Sequence, residues 1–168
     1  MSNIDDIYKM LCWDNTSEIR LEGISLAKNI DDLSLLIQPP AEPSVWESCA
    51  QILYEKSDLA LEPYLNRLLE WLQDLNWPGA LVVLDRLKTF SGEKLKNPFI
   101  DCVTYAINMN DNEGLMWLDY LSELLDNEQL KERLPKEIAE KLVQSGDGSV
   151  SSAKRCTGDG SVCSSNDE

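Results

Sequence analysis

Residues 68–88 read LLEWLQDLNWPGALVVLDRLK, an apolar run broken by Asn-Trp-Pro-Gly at 76–79. Leu68, Leu69 and Leu72 precede the break, and Leu81, Leu84 and Leu87 follow it, each set at helical spacing. A proline inside a helix removes a backbone donor and costs about 3 kcal/mol, and a glycine beside it adds about 1 kcal/mol of backbone entropy. One continuous helix is therefore the costlier reading. The stretch reads as two helices joined in a hairpin. Asn76 caps the second helix and Pro78 stands in its first turn, where the missing N–H costs nothing.

The same punctuation extends in both directions. A short helix spans about 4–12, and Asn15 or Thr16 opens the next, which carries Ile19, Ile24, Leu26 and Ala27. Ser44 and Glu47 form a capping-box pair ahead of Cys49, Ile52 and Leu53. Pro63 marks a first helical position, Asn97 and Pro98 repeat the device, and a last helix starts at Pro135. Nothing alternates with strand periodicity. Pro63 and Pro98 each open a hairpin, 35 residues apart by number, a spacing in the range of helical repeats. The expected fold is all-α, a right-handed stack of helical hairpins without β-sheet, with an irregular helical bundle as the alternative.

Residues 1–144 form the expected helical domain. From 145 to 168 the composition changes to Gly, Ser and Asp, with GDGSV at 146–150 repeated at 158–162. That stretch has too little apolar surface to offset its ordering entropy and reads as a flexible tail. Its Gly-Asp-Gly lacks the alternating ligands and closing Glu of a calcium loop.

Thirty acidic residues face fifteen basic ones, giving a net charge of −15. Nucleic-acid binding needs a cationic footprint, so a basic protein partner fits better. No apolar run reaches membrane-spanning length and the N-terminus lacks a basic-then-apolar leader, so the expectation is no membrane partner and a cytoplasmic location. The five cysteines, Cys12, Cys49, Cys102, Cys156 and Cys163, are odd in number, and the first three lie in apolar helical patterns as small hydrophobes.

Histidine is absent, which removes the usual general base, the commonest zinc ligand and every Ser-His or Cys-His dyad. No Cys-x-x-Cys pair or phosphate-cradling glycine loop is present. The carboxylate pairs Asp5-Asp6 and Asp31-Asp32 sit at helix starts, where they complement the dipole. The expectation is no catalytic residue, no metal, no cofactor and a chain that is not an enzyme.

Trp71 and Trp77 bracket the break, and Asp74 stands where it can accept from turn or cap donors. Trp71, Asp74, Asn76, Trp77 and Pro78 thus make a structural corner, whose tryptophans either wedge hairpins together or face a partner. The segment LLEWLQDLNWPGA resembles the signature of a family of small bacterial HEAT-like domains. Members were first catalogued as domains of unknown function, with relatives among immunity proteins of polymorphic toxin and contact-dependent inhibition systems. The match runs through Glu70, Trp71, Leu72, Gln73, Asp74, Asn76, Trp77 and Pro78. The resemblance implies a HEAT-like α-solenoid without catalytic activity that binds and neutralises a cognate toxin. A basic nuclease domain would suit the acidity. The alternative is a helical repeat adaptor in a cytoplasmic complex, and in either case the free chain is expected to be a monomer.

In a stack of hairpins the second helices line one side; here these are about 44–56, 77–89 and 112–125. Their core faces take Val45, Cys49 and Ile52; Ala80, Leu84 and Leu87; and Leu118, Leu121 and Leu125. The opposite sides show Glu47, Tyr54, Glu55, Asp85, Glu113, Met116, Asp119, Tyr120 and Glu123. Carboxylates mixed with amphipathic aromatics and a methionine make that set the expected partner-binding face.

Overall fold

The computed structural model describes residues 3–145, so the repeated GDGSV segments, Cys156 and Cys163 lie outside the described residues. Among the described residues every regular element is helical and none is a strand. In order these are α1 (Ile4–Leu11), α2 (Ser17–Ala27), α3 (Trp46–Tyr54), α4 (Asp58–Leu61), α5 (Leu65–Glu70), α6 (Ala80–Lys88), α7 (Gly92–Met109), α8 (Asn112–Ser122) and α9 (Glu128–Lys131). A last helix, α10, covers 136–145. Single 3-10 turns at Leu33–Leu36, Pro43–Val45, Glu62–Tyr64, Trp71–Gln73 and Glu123–Asp126 join or extend them. No described helix is long and apolar enough to cross a membrane.

The chain packs in neighbouring pairs: α1 on α2, α2 on α3, α3 on α6, α5 on α7 and α7 on α8. α3 and α6 run parallel. Gly79, just ahead of α6, bonds Glu47 at the start of α3, while Arg86 near the end of α6 donates to the Lys56 carbonyl past the end of α3. The expected core positions Val45, Cys49, Ile52, Ala80, Leu84, Leu87, Leu118 and Leu121 are all buried. Leu125 is only half-buried, because the helix tightens to a 3-10 turn at Glu123 and rotates it outward. Val83 takes the inward position on α6, and Leu81 is exposed.

Three local readings are corrected. Pro98 does not open a helix: α7 starts at Gly92, after Ser91, and runs through Pro98 to Met109. The carbonyl of Lys94 has lost its amide partner there, on a turn where Glu93 and Lys94 are exposed, which keeps the cost of the proline low. Gly92 allows that earlier start, since a Cβ there would strike the backbone of Gln129 and Leu130 in α9. Pro63 does not begin a new helix either. It sits in a 3-10 turn between α4 and α5; the start signal is Ser57, the cap of α4, which accepts from the Ala60 N–H. The Ser44–Glu47 capping box does not form, because each side chain is used elsewhere: Ser44 accepts from the Cys12 thiol at 3.3 Å, and Glu47 reaches α6. Thr16, not Asn15, caps α2, while Asn15 donates back to the carbonyls of Lys9 and Met10 at the end of α1. Pro135 precedes α10 as expected, and its carbonyl accepts from Ile138 and Ala139.

Burial pushes the Cys49 thiol up to about 12, and burial with the neighbouring Glu70 and Asp101 does the same to Cys102. Both are therefore protonated at neutral pH, and the thiolate is the reactive form. At about pH 8 an alkylating reagent is expected to label half-buried Cys12 in the native protein and to spare Cys49 and Cys102 until denaturant is added. Peptide mapping by mass spectrometry checks this; native labelling of Cys102 at the rate of Cys12 would contradict the packing.

Candidate functional site: the tryptophan corner and its groove

The chain leaves α5 through the 3-10 turn Trp71–Gln73 and becomes extended at Asp74. The Asp74 carboxylate then accepts from the backbone N–H of Asn76 at 2.8 Å and from its side-chain amide at 2.9 Å, which closes a tight Asx turn. The Trp77 N–H bonds the Asp74 carbonyl, and Gly79 takes φ +81°, a left-handed conformation that side chains resist. A Cβ at Gly79 would also lie 2.7 Å from that of Ala50 and 2.9 Å from the Trp46 carbonyl. Here glycine serves both the turn and the close approach of α3.

Asn76 is thus not the cap of the second helix, and Pro78 is not in its first turn. α6 begins at Ala80, and with Pro78 lacking an N–H the donor next to the helix start is that of buried Gly79. Glu47 Oε2 accepts it at 2.7 Å, across 32 residues of sequence. A carboxylate at this end also meets the positive pole of the helix. Glu47→Ala is therefore expected to cost about 1–2 kcal/mol, whereas Asn76→Ala, a change in an exposed turn, should stay within about 0.5 kcal/mol. Urea titration of the two variants checks the order, and the reverse order would restore Asn76 as the cap.

Three tryptophans meet at this corner. Trp71 is fully buried and donates its indole N–H to the Pro78 carbonyl at 3.1 Å. Trp46 stands edge-on to both Trp71 and Trp77, with ring centroids 6.1 Å apart in each pair, and bonds the Pro39 carbonyl. Trp46 carried no assignment from sequence, since it lies 25 residues before Trp71 and only folding brings them together. Trp77 is half-buried, with one side in the cluster and the other on a surface depression of about 320 Å³ walled by Asp74, Glu113 and Met116.

A second depression of about 420 Å³ adjoins the first, the two sharing Gln73 and Trp117. Its rim carries Glu70 from α5 and Asp101 and Tyr105 from α7. The Trp117 indole donates to the Leu69 carbonyl at 3.2 Å, which fixes its ring as the common floor. Tyr105 stands edge-on to it at 6.2 Å yet is 64% exposed. No lysine or arginine lines either depression. Among the described residues, Glu70, Asp74, Asp101 and Glu113 make no ion pair.

The expected partner face divides in two. Glu113 and Met116 stand exposed on the groove, with Asp119 and Tyr120 half-buried further along α8. The remainder is elsewhere and largely engaged. Glu47 is spent on Gly79, Glu55 pairs with Lys28 at 2.6 Å, and Glu123 lies 3.7 Å from Lys88. Lys88 also bonds Asp126 at 3.0 Å; that bond, with Asp85 and Glu123 nearby, raises the pKa of Lys88. Tyr54 and Asp85 are exposed but far along α3 and α6 from the groove walls. Glu70, Asp101 and Tyr105 were missed. The sequence signal was the four-residue spacing of Asp101 and Tyr105, which sets both on one face of α7.

Residues 47–150 match the family model described as a domain of unknown function, DUF5071. The chain belongs to that family. The match covers more than half of the chain and takes in the corner and both depressions. No curated protein and no solved structure matches this chain.

Proposed function

We propose that this DUF5071 protein is a non-enzymatic binding protein that neutralises a basic partner by direct contact, as an immunity protein does with its cognate bacterial toxin. The observation that carries the reading is the joined groove, lined by four carboxylates and no cation in a chain of net charge −15. Such a surface attracts a positively charged domain at long range and accelerates its docking, an effect weakened by salt. A toxin nuclease has a cationic substrate surface of this kind. The parallel course of α3 and α6 supports a HEAT-like stack of hairpins as the scaffold, since successive second helices run parallel in such stacks. The absence of histidine favours binding over catalysis. The chain would act in the cytoplasm, where a toxin must be silenced before export.

The test begins with the neighbouring reading frame. A toxin-type product that stops growth alone, is harmless when co-expressed with this chain and co-elutes with it as a complex is the expected result. Equal toxicity with and without the chain overturns the immunity reading and leaves the adaptor.

A further inference from the structure

We infer that the joined groove is built to take an arginine-bearing segment of the partner, with guanidinium groups laid against Tyr105 and Trp77 and paired with the carboxylates of Glu70, Asp101 and Glu113. This deepens the binding reading above and rests on it. The groove is not merely a run of acidic side chains. By contrast, the depression between α1 and residues 41–45, about 520 Å³, sets Lys9 among Asp5 and Glu42. Here aromatic rings and carboxylates line the same depressions, Trp77 with Asp74 and Glu113 in one and Tyr105 with Glu70 and Asp101 in the other.

The chemistry selects arginine over lysine. A guanidinium is planar, weakly hydrated and forked, so it stacks on an aromatic ring while bonding a carboxylate with both edges. An ammonium is a compact, strongly hydrated charge that gains less from the ring. Tyr105 is suited to this use because its edge-on contact with Trp117 holds the ring in place while most of its surface stays in water. Met116, 47% exposed, offers a polarisable side chain for the aliphatic stem of an incoming arginine. Its sulfur and the half-buried ring of Trp77 give the first depression its apolar wall. Two depressions with a common floor accommodate two cationic side chains of one extended segment.

The experiment uses the full chain and two short fluorescent peptides, one alternating arginine with glycine and one alternating lysine with glycine. Fluorescence anisotropy at about 0.15 M ionic strength reads the affinities, with general electrostatic attraction screened beyond about 8 Å. The arginine peptide is expected to bind more tightly than the lysine peptide by about fivefold. Glu70→Gln with Asp101→Asn should weaken the arginine peptide about tenfold. The control, Glu22→Gln with Asp31→Asn, removes the same charge from two exposed sites on α2 and the turn after it, and should change binding less than about twofold. Tyr105→Ala should cost about three- to tenfold, and Tyr105→Phe should restore most of it because the ring is retained. Equal losses in groove and control variants, or equal affinity for the two peptides, overturn the groove as an arginine site. Absence of binding by the unaltered chain overturns it as well. None of these outcomes bears on the co-expression result, so the two failures are distinguishable.

Discussion

Trp71→Ala is expected to destabilise the protein by about 3–5 kcal/mol, the range for emptying a core aromatic site. The ring is fully buried, and the turn that carries it packs on α5, α6 and α8 at once. Its loss leaves a void that α5 and α6 cannot close without moving Gly79, already in close contact with the ring and with α3. It also strips the Pro78 carbonyl of its donor. Two companion variants separate these effects. Trp71→Phe keeps most of the volume and removes the hydrogen bond, and should cost about 1–2 kcal/mol. Trp77→Ala removes a half-buried ring and should cost less than Trp71→Ala. Denaturant midpoints at constant slope provide the comparison. If Trp77→Ala proved as costly as Trp71→Ala, the corner would be closed to solvent and the groove beside it would lose its wall.

The helical class was legible because apolar spacing repeats through the chain, and the break around residue 76 was legible because proline followed by glycine is costly inside a helix; α5 and α6 lie on either side of it. Which residue satisfies a given donor was less so. Short-range rules paired Ser44 with Glu47 and made Asn76 a cap, yet both assignments lost to tertiary partners: Glu47 serves a helix that begins 33 residues later, at Ala80. Pro98 gave a false start for a related reason. Packing of Leu95, Phe99, Cys102, Val103 and Ala106 into the core outweighs one lost hydrogen bond on an exposed turn. The groove was half readable. Glu113 and Met116 share a face of α8, and Asp74 and Trp77 sit in the quoted corner. Glu70, Asp101 and Tyr105 join them only through the packing of α5 on α7, which no local pattern encodes.

Asn127 is the position where that long-range bookkeeping is most concentrated, although nothing in the sequence singled it out. It is 4% exposed, donates to the carbonyls of Leu87 at 3.1 Å and Phe90 at 2.9 Å, and accepts from the Leu130 N–H at 3.1 Å. The Leu87 carbonyl, at the end of α6, also accepts from the Phe90 N–H, so Asn127 supplements it; the Phe90 carbonyl lies just past the helix, and the Leu130 N–H is an orphan donor of α9. One side chain thereby fastens the α6–α7 junction to α9. Asn127→Leu keeps the approximate volume, leaves the Phe90 carbonyl and the Leu130 N–H without this partner, and takes one donor from the Leu87 carbonyl, which keeps the Phe90 N–H. At about 1–3 kcal/mol for each of the two groups left open, with partial relaxation, the expected loss is about 2–5 kcal/mol. Asn127→Asp retains the acceptor for Leu130 and sets a buried carboxylate against two carbonyl oxygens. Burial and those oxygens both disfavour the ionised form, so its folded-state pKa rises above the unfolded value of about 3.9. The sign follows from linkage: protonation favours the folded state, so the variant is most stable below about pH 4 and loses stability relative to the parent as pH rises towards neutrality. Urea midpoints of parent and variant between about pH 4 and pH 7 should therefore diverge with increasing pH. Parallel curves would mean that the side chain has turned out into water and that the clasp on α9 is not required.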